Sequence, residues 1–328
     1  MAVDAQANVY AVQNDRVRKI TADGLVSTVA GGDRQTGTTA YLDGMGTSAR
    51  FNGLSGVALH SNGVIYVADS DNSAIRTIDP NGLVRTAAGG PSRKGYVDGA
   101  AADARLVSPK SVTLDKAGNL YFVDVVEIEN TNTCTPWHRL VIRKISASGV
   151  VSTINDLGQI RITGPVKLAV DSLGNVFVTI IETFENNIVV LCPTPAPSAS
   201  YVRKISTNGL SSLWVGSKAI GAVDGQGDQA RFDSLTDISI DATDNIYVAD
   251  SRNGAIRRVS PQGIVSTVVG QLPPSGSLKP VGTLTLGALP GVVPYPDTVS
   301  VGAQFNLYIG AANLISSRSR VVLTTQFR

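Results

Sequence analysis

Residues 238–270 read ISIDATDNIYVADSRNGAIRRVSPQGIVSTVVG. The stretch holds four short apolar runs, rich in Val, Ile, Thr and Tyr, separated by segments of Asp, Asn, Ser, Pro and Gly. Short runs bounded by turn-favouring residues predict β-strands rather than helices. We therefore predict a four-stranded antiparallel sheet. Because such a sheet has two apolar faces, it needs further sheets to cover them.

The same pattern recurs along the chain. Each copy begins with a short strand that ends in Asp or a substitute for it, and a second strand rich in Val, Tyr or Phe follows after a tight turn. Repetition of this kind indicates stacked supersecondary units. The residue that ends the first strand falls at intervals of 55 to 70 residues, at Asp4, His60, Asp115, Asp171, Asp241 and Gly302.

These copies resemble the NHL repeat of six-bladed β-propellers. The resemblance rests on the strand ending in Asp, on the hairpin segments ADSDNSAIR at 68–76 and ADSRNGAIR at 249–257, and on a Gly turn before the fourth strand. It implies an all-β fold, a six-bladed β-propeller of four-stranded antiparallel blades with a degenerate last blade. A single domain over residues 1–328 is expected, with blades at about 1–32, 54–90, 109–155, 165–216, 235–270 and 296–328.

Charge and hydropathy exclude several classes of partner. The formal net charge is +2, and Lys and Arg recur mostly in the third strand of each copy, which is typical of blade-edge ion pairs rather than a nucleic-acid surface. The sequence has no apolar run of the ~18 residues that a membrane-spanning helix needs. We therefore expect neither nucleic acid nor a membrane span, and we expect a monomeric domain.

A loop rich in Asp and Gly precedes three of the copies. It runs from Asp43, Asp98 or Asp224 to an Arg and an apolar residue, which are Arg50 and Phe51, Arg105 and Leu106, and Arg231 and Phe232. Carboxylates and Gly carbonyls suit calcium, so a cation loop is one interpretation. The favoured interpretation is structural, because each loop offers too few carboxylates for a six-oxygen site: the apolar residue plugs between blades, and the Asp and Arg satisfy loop backbone or each other.

Blades three and four share a long insert between their second and third strands. Each insert contains one of the two cysteines, Cys134 and Cys192. Inserts on neighbouring blades predict a Cys134–Cys192 disulfide, with two free thiols as the alternative, and a disulfide implies an oxidising compartment. We therefore expect an exported protein, in the periplasm, at the cell surface or outside the cell, whose signal segment lies outside this chain.

Candidate binding residues fall in two groups. Aromatic and imidazole side chains in the inserts, Trp137, His138 and Phe184, could serve a protein or carbohydrate ligand, or could pack the inserts against each other. The openings of the innermost strands carry Lys110, Lys167, Asp237 and Asp297, where a polar mouth or mutual charge neutralisation are the alternatives. The aspartates that end the first strands are interpreted as turn-forming residues.

Motifs for catalysis are absent from the sequence. Two histidines cannot form a three-His zinc site, and no Ser nucleophile motif is present. We expect no cofactor and no metal, with calcium in a lactonase-like site as the open alternative. The sequence thus favours a binding or interaction module over an enzyme. A metal-dependent hydrolase or lyase resembling lactonases or strictosidine synthase, and a structural domain of a larger surface protein resembling teneurins, remain the alternatives.

Overall fold

The fold was analysed in a computed structural model. It describes residues 1–32, 40–128, 136–183, 198–270, 284–285, 292–293, 296–302, 306–311 and 321–326. The chain is all-β and built from antiparallel sheets of the β-propeller kind, in which consecutive strands pair up and down. The described part contains no helix that is long and apolar enough to cross a membrane.

The described residues of the first three blades form fourteen strands. Blade one has four strands in chain order, so the first copy has all of its predicted strands. In blades two and three the connector before the blade adds a fifth strand, which pairs with the outermost strand. The strands are β1 Ala2–Val3, β2 Val9–Gln13, β3 Arg16–Ile20 and β4 Val26–Ala30; β5 Gly44–Met45, β6 Leu54–Leu59, β7 Ile65–Asp69, β8 Ala74–Ile78 and β9 Leu83–Gly89; β10 Gly99–Ala100, β11 Pro109–Leu114, β12 Leu120–Ile128, β13 Trp137–Ile145 and β14 Val150–Ile160.

Blade four has four strands and blade five again has a connector strand. A three-stranded sheet follows where the sixth blade was predicted, so the described residues show five complete blades and the count of six is not confirmed. The strands are β15 Lys167–Val170, β16 Val176–Thr183, β17 Ser198–Ile205 and β18 Ser211–Gly216; β19 Gly225–Gln226, β20 Leu235–Ile240, β21 Ile246–Asp250, β22 Ala255–Val259 and β23 Ile264–Val269; the pair β24 Leu284–Thr285 and β25 Val292–Val293; and β26 Pro296–Val301, β27 Asn306–Ala311 and β28 Val321–Gln326. Single 3₁₀ turns lie at Gly46–Ser48, Ser70–Asn72, Pro91–Arg93, Gly227–Gln229 and Ser251–Asn253.

The chain divides into two compact units. The first is Met1–Val126 with Arg139–Gly158, and the second is Glu127–His138 with Gln159–Arg328. The first unit thus contains blades one and two and most of blade three. The second contains blades four and five, the three-stranded sheet, and the tip of the long blade-three hairpin.

Each unit has apolar clusters between successive sheets, and the predicted plug residues lie in them. Phe51 is buried among side chains of blades one and two, Leu106 among those of blades two and three, and Phe232 among those of blades four and five. Their burial removes most of each side chain from water, which is the main favourable term in packing sheets together. The structural interpretation of the apolar connector residue is confirmed.

The aspartates that end the first strands form tight turns. The Asp115 carboxylate accepts backbone N–H groups of Ala117 and Asn119, both at 2.9 Å, and the side chains of Asn119 and Tyr121 also donate to it. Asp4 and Asp241 make the corresponding bonds. Burial raises the pKa of Asp115, but the hydrogen bonds from Asn119, Tyr121 and Ala117 outweigh burial and leave the pKa below its ordinary value.

Candidate functional site

Three connector aspartates bind a buried arginine of the next blade. In blade two the Arg76 guanidinium, fully buried, pairs with Asp69 at 2.8 Å and with the connector residue Asp43. Its two terminal nitrogens also donate to the carbonyl oxygens of Arg50 and Leu42, whereas the buried Nε–H has no hydrogen-bond partner within the described residues. We call this arrangement the arginine clamp. Blades three and five repeat it, with Arg143, Asp124 and Asp98, and with Arg257, Asp250 and Asp224.

The arginine clamps show what the aspartates of the Asp- and Gly-rich connectors bind. The Asp43 carboxylate accepts hydrogen bonds from the Arg76 guanidinium and from the backbone N–H of Thr86. The Asp224 carboxylate accepts the same bonds from Arg257 and Thr267. The connector Arg50 instead donates to loop carbonyls, including that of Thr47 at 2.7 Å. The structural interpretation of these loops is therefore supported. The described residues contain no group of three or more His, Cys, Asp or Glu side chains placed to hold a metal ion.

Blade four departs from this arrangement, and its connector arginine takes another partner. Arg161 stands in the connector before blade four, as Arg50 does before blade two, and no Asp/Gly loop precedes it. Its buried guanidinium stacks on the ring of Trp137 at 4.6 Å from the centroid. Trp137 is the first residue of β13 at the base of the blade-three insert. A guanidinium over an indole face is a favourable contact, stronger where water is excluded.

The base of the blade-four insert adjoins this stack. Thr183, the last residue of β16, donates its N–H to the Arg161 carbonyl at 2.9 Å. Its buried side-chain hydroxyl has no hydrogen-bond partner within the described part of the chain. Ile162 and Glu182 form a bridge beside this pair, so Arg161 and Thr183 project from the same side of the backbone. We call Trp137, His138, Arg161, Glu182 and Thr183 the insert platform.

His138 of the insert platform and Tyr201, which bonds to that platform through Glu182, have shifted pKa values. Burial lowers the pKa of His138, while the Glu127 carboxylate and the Pro136 carbonyl oppose that shift. Glu182 accepts a 2.8 Å hydrogen bond from the Tyr201 hydroxyl. Burial and this bond both raise the pKa of Tyr201, so it remains a hydrogen-bond donor at neutral pH.

The second group of candidate residues lies at the openings of innermost strands. Lys110 is the second residue of β11 in the first unit, and Lys167 is the first residue of β15 in the second. In the second unit Asp237 on β20 is buried, and it accepts the N–H groups of Ile238 at 3.0 Å and Val299 at 3.1 Å. Its carboxylate thus joins β20 to the neighbouring β26. Asp297 lies at a β-bulge of β26.

Several candidates lie outside the described residues, namely Phe184, Cys134 and Cys192. Their roles in ligand binding and in a disulfide stay predictions. Conversely, the sequence analysis missed Arg161, which contacts Trp137, and it missed Thr183 and Tyr201, which donate hydrogen bonds to Arg161 and Glu182. Arg161 could have been found by its repeat position, because it occupies the place of Arg50, Arg105 and Arg231 while lacking their loop.

Fold and site together define a β-propeller with two enlarged hairpins on consecutive blades. The NHL repeat model matches residues 51–78, which cover most of blade two. The chain is 26% identical to Teneurin-3 of Danio rerio over 198 residues, 52% of this chain and 6% of that protein. Teneurin-3 of Mus musculus is 26% identical over 195 residues, with the same shares. The chain thus spans only a small part of these much longer relatives.

Solved structures with propeller folds match most of the chain. An auxiliary nutrient binding protein from Bacteroides thetaiotaomicron has a TM-score of 0.55 at 13% identity, covering 93% of this chain and 63% of that one. A gluconolactonase from Xanthomonas campestris has a TM-score of 0.54 at 14% identity, covering 95% and 82%. At these identities the likeness concerns the fold alone. The repeat match, the relatives and these structures together support an NHL-repeat β-propeller family for this chain.

Proposed function

We propose that this chain is a binding module of an exported NHL-type propeller, and that it binds its ligand at the insert platform. One observation carries the proposal: the tip of the blade-three hairpin, Glu127–His138, belongs to the compact unit of blade four, and its Trp137 stacks on Arg161. The two enlarged hairpins therefore share one base. Exposed loops on a rigid β scaffold are where propellers and sandwiches usually carry binding residues.

The chemistry of the insert platform favours a carbohydrate or protein ligand. The partly buried Trp137 indole offers an apolar surface, held in place by the buried Arg161 guanidinium stacked on it, and aromatic side chains dominate binding energies at such surfaces. The partly buried His138 and Glu182 add polar groups at the same place. The fold shared with a nutrient binding protein supports a binding role for the scaffold.

The test is a thermal-shift titration of the full chain with neutral and acidic oligosaccharides, with and without calcium. A ligand held at a hundred times its dissociation constant adds about 2.7 kcal/mol of stability, which appears as a raised melting temperature. Trp137→Ala should abolish the shift. Trp214→Phe is the matched control, because Trp214 is the other tryptophan and packs on Phe177 within blade four. A shift that survives Trp137→Ala contradicts the proposed site, and the absence of a shift with every oligosaccharide of the panel contradicts a carbohydrate ligand.

Further parts of the proposal concern the whole protein. We propose that the three-stranded sheet of β26, β27 and β28 is the sixth blade, and that Cys134 and Cys192 form a disulfide in an oxidising compartment. Alkylation of the unfolded chain with and without prior reduction tests the disulfide by mass. Two thiols that react without reduction would exclude it, and with it the main support for export.

A lactonase-like hydrolase is the second candidate, favoured by one observation. Lys167, Asp237 and Asp297 open β15, β20 and β26, three innermost strands that neighbour one another in the second unit. Calcium bound there would compete for the Asp237 carboxylate with the two backbone N–H groups that donate to it. Lactone hydrolysis that depends on calcium and is lost in Asp237→Asn would favour this candidate, whereas hydrolysis absent with and without calcium would eliminate it.

A further inference from the structure

The outermost strand of blade one, β4, exposes a valine at a position where three other blades bury one. Strand pairing gives Val26 the position of Val84 in blade two, because each lies opposite the last residue of its third strand. Val84 is fully buried, whereas Val26 is 50% exposed. Val151 and Val265 hold the equivalent positions in blades three and five, and both are buried.

The connectors account for the burial in those three blades. A connector glycine pairs with each of the buried valines, as Gly44 pairs with Val84. The same connector then contributes Ala49 and the plug residue Phe51, which lie with Val84 in one apolar cluster. Among the described residues β4 pairs only with β3, so no connector strand covers Val26.

The connector of blade two also contacts β4, but near the opposite end of the strand. The Gly46 carbonyl in its 3₁₀ turn accepts the N–H of Gly31 at 3.1 Å. A Cβ atom at Gly46 would lie 3.8 Å from the carbonyl oxygen of Val29. This contact leaves Val26 half exposed, so it does not replace a connector strand.

Two polar groups near Val26 match the aspartate of a connector. Strand pairing sets Arg18 opposite Thr28, and the guanidinium donates to the threonine hydroxyl at 2.5 Å. In blades two, three and five the equivalent arginine and threonine both bind the connector aspartate. Gln13 holds the position of the other clamp carboxylate, Asp69. Arg18 is partly exposed and pairs with no carboxylate in the described part of the chain.

Blade four supplies the contrast, because no Asp- and Gly-rich connector precedes it. It carries Ser211 at the position of Val26 and Leu213 at the position of Thr28. The blade that has no such connector thus lacks both residues that a connector contacts, whereas blade one has both. We call Val26, Thr28 and Arg18 the open edge of blade one.

We propose that the open edge binds an extended segment of a partner polypeptide that has the chemistry of a connector. Such a segment carries an apolar residue, Asp and Gly in succession, with an apolar plug eight residues after the Asp. The chain has three segments of this kind, and each is already paired in its own blade, so the occupant comes from outside these 328 residues. They begin at Leu42, Val97 and Val223.

The interactions of the bound segment follow from those of the chain's own connectors. Its glycine pairs with Val26 and adds a strand to the sheet, because an edge strand offers unpaired N–H and C=O groups. Its aspartate accepts hydrogen bonds from Arg18 and Thr28, and its plug covers the apolar face that Val26 exposes. The open edge shares no residue with the insert platform, so failure of this proposal would leave the proposed binding function untouched.

Fluorescence anisotropy with a labelled peptide tests the open edge. The probe is the sequence of residues 41–51, YLDGMGTSARF, and the full chain is titrated into it. We expect saturable binding, and about tenfold or more weaker binding of the Asp43→Asn peptide, because a charge-assisted hydrogen bond is lost. Hydrogen exchange of residues 25–28 should slow when the peptide is bound, because their strand gains a neighbour.

A variant of the chain identifies the place of binding. Val26→Asp should abolish binding, because it removes the apolar contact and sets a carboxylate beside that of the peptide. Ser211→Asp is the matched control, because Ser211 holds the same strand position in blade four; it should bind the peptide as the wild type does. Circular dichroism establishes that each variant is folded.

Three results would overturn the proposal. The first is a wild-type chain that does not bind the peptide at any concentration up to its solubility. The second is a Val26→Asp chain that binds as tightly as the wild type, because the peptide would then occupy another place. The third is equal affinity for the two peptides, which would remove the aspartate from the recognition.

Discussion

Blade two and blade four share the same pattern of four strands, but they differ in the residues that surround the arginine of the third strand. In blade two, buried Arg76 joins Asp69 to the connector aspartate Asp43. Strand pairing places Arg203 and Ile180 at the equivalent positions in blade four. Ile180 is fully buried and apolar, and Arg203 donates to Ser211 at 3.0 Å. The arginine is thus present in both blades, but only blade two gives it two carboxylates.

The difference shows that the repeat residues depend on one another. Where the connector has no aspartate, the clamp carboxylate is replaced by Ile180 and the connector-bound threonine by Leu213. An isolated buried carboxylate would be costly, so an apolar residue is the stable replacement. The same change leaves Arg161 without its loop, and Arg161 then stacks on Trp137 at the insert platform. The blades that follow the repeat contain the arginine clamps, which stabilise the fold. Blade four departs from the repeat and carries the candidate binding surface.

The largest effect is expected from breaking the clamp of blade two. Arg76→Met leaves the fully buried Asp69 carboxylate without its cation, which should cost about 3–5 kcal/mol of unfolding free energy. Urea denaturation followed by circular dichroism measures it. Arg203→Met in blade four is the matched control and should cost about 1 kcal/mol, the value of one ordinary hydrogen bond. Equal losses in the two variants would refute the distinction between the blades.

A loss of comparable size is expected from building half a clamp in blade four. Ile180→Asp places a carboxylate in a fully buried apolar position with no connector to bind, so a loss of about 2 kcal/mol or more is expected despite nearby Arg203. The same denaturation experiment applies, with Ile180→Val as a control for lost volume at about 0.5–1.5 kcal/mol. A gain in stability would show that the arginine alone can support the carboxylate.

Substitution of the residue opposite the third-strand arginine, Thr86 in blade two and Leu213 in blade four, should give a still smaller loss of stability. Thr86→Val removes the hydrogen bonds of the Thr86 hydroxyl with Tyr41 at 2.7 Å and with Asp43 at 3.3 Å, so a loss of about 1 kcal/mol is expected. Leu213→Thr in blade four should change stability by less than about 0.5 kcal/mol, because Leu213 has no connector aspartate to meet. If Leu213→Thr were as costly as a core substitution, Leu213 would have to be a packing residue within the chain.

Repetition explains how much of this molecule the sequence could predict. The strands, the turn aspartates and the plug residues such as Phe51 recur in several copies, so each copy supports the others. The clamps were only partly foreseen: aspartate and arginine were expected to satisfy loop backbone or each other, but the partner of Asp43 is Arg76, not the nearer Arg50. Choosing between two arginines requires the register of the strands, which sequence spacing alone does not supply.

The insert platform, by contrast, could not be predicted from the sequence. Trp137 and Arg161 are brought together by a hairpin that departs from the repeat, so no second copy could reveal the contact. The same holds for the three-stranded sheet, whose sequence lacks the Gly turn that marks the other fourth strands. Prediction from the sequence therefore worked where local turn chemistry decides structure, and it failed where one irregular segment packs on another.

The smallest expected effect is on the dependence of stability on pH, in which the turn aspartates and the clamp aspartates should differ. Burial raises the pKa of Asp69, with bonds from Asn52, Asn72 and Arg76 opposing, so the clamp carboxylate takes up a proton more readily than usual. The pKa of Asp115 is lowered instead. A lowered pKa means that Asp115 contributes stability above its unfolded value of 3.8 and loses that contribution as pH falls through the lower folded value.

Asp115→Asn should therefore flatten the dependence of stability on pH below about pH 4, because the neutral amide no longer titrates. The loss at neutral pH should stay below about 1 kcal/mol, since the turn is partly exposed and solvent screens the charge. Melting temperatures measured between about pH 2 and pH 7, a range that spans the ordinary pKa of an aspartate, give both quantities. Asp103→Asn, an exposed connector residue, is the control. If Asp115→Asn keeps the wild-type pH profile, Asp115 does not contribute to the acid dependence of stability, and the prediction is wrong.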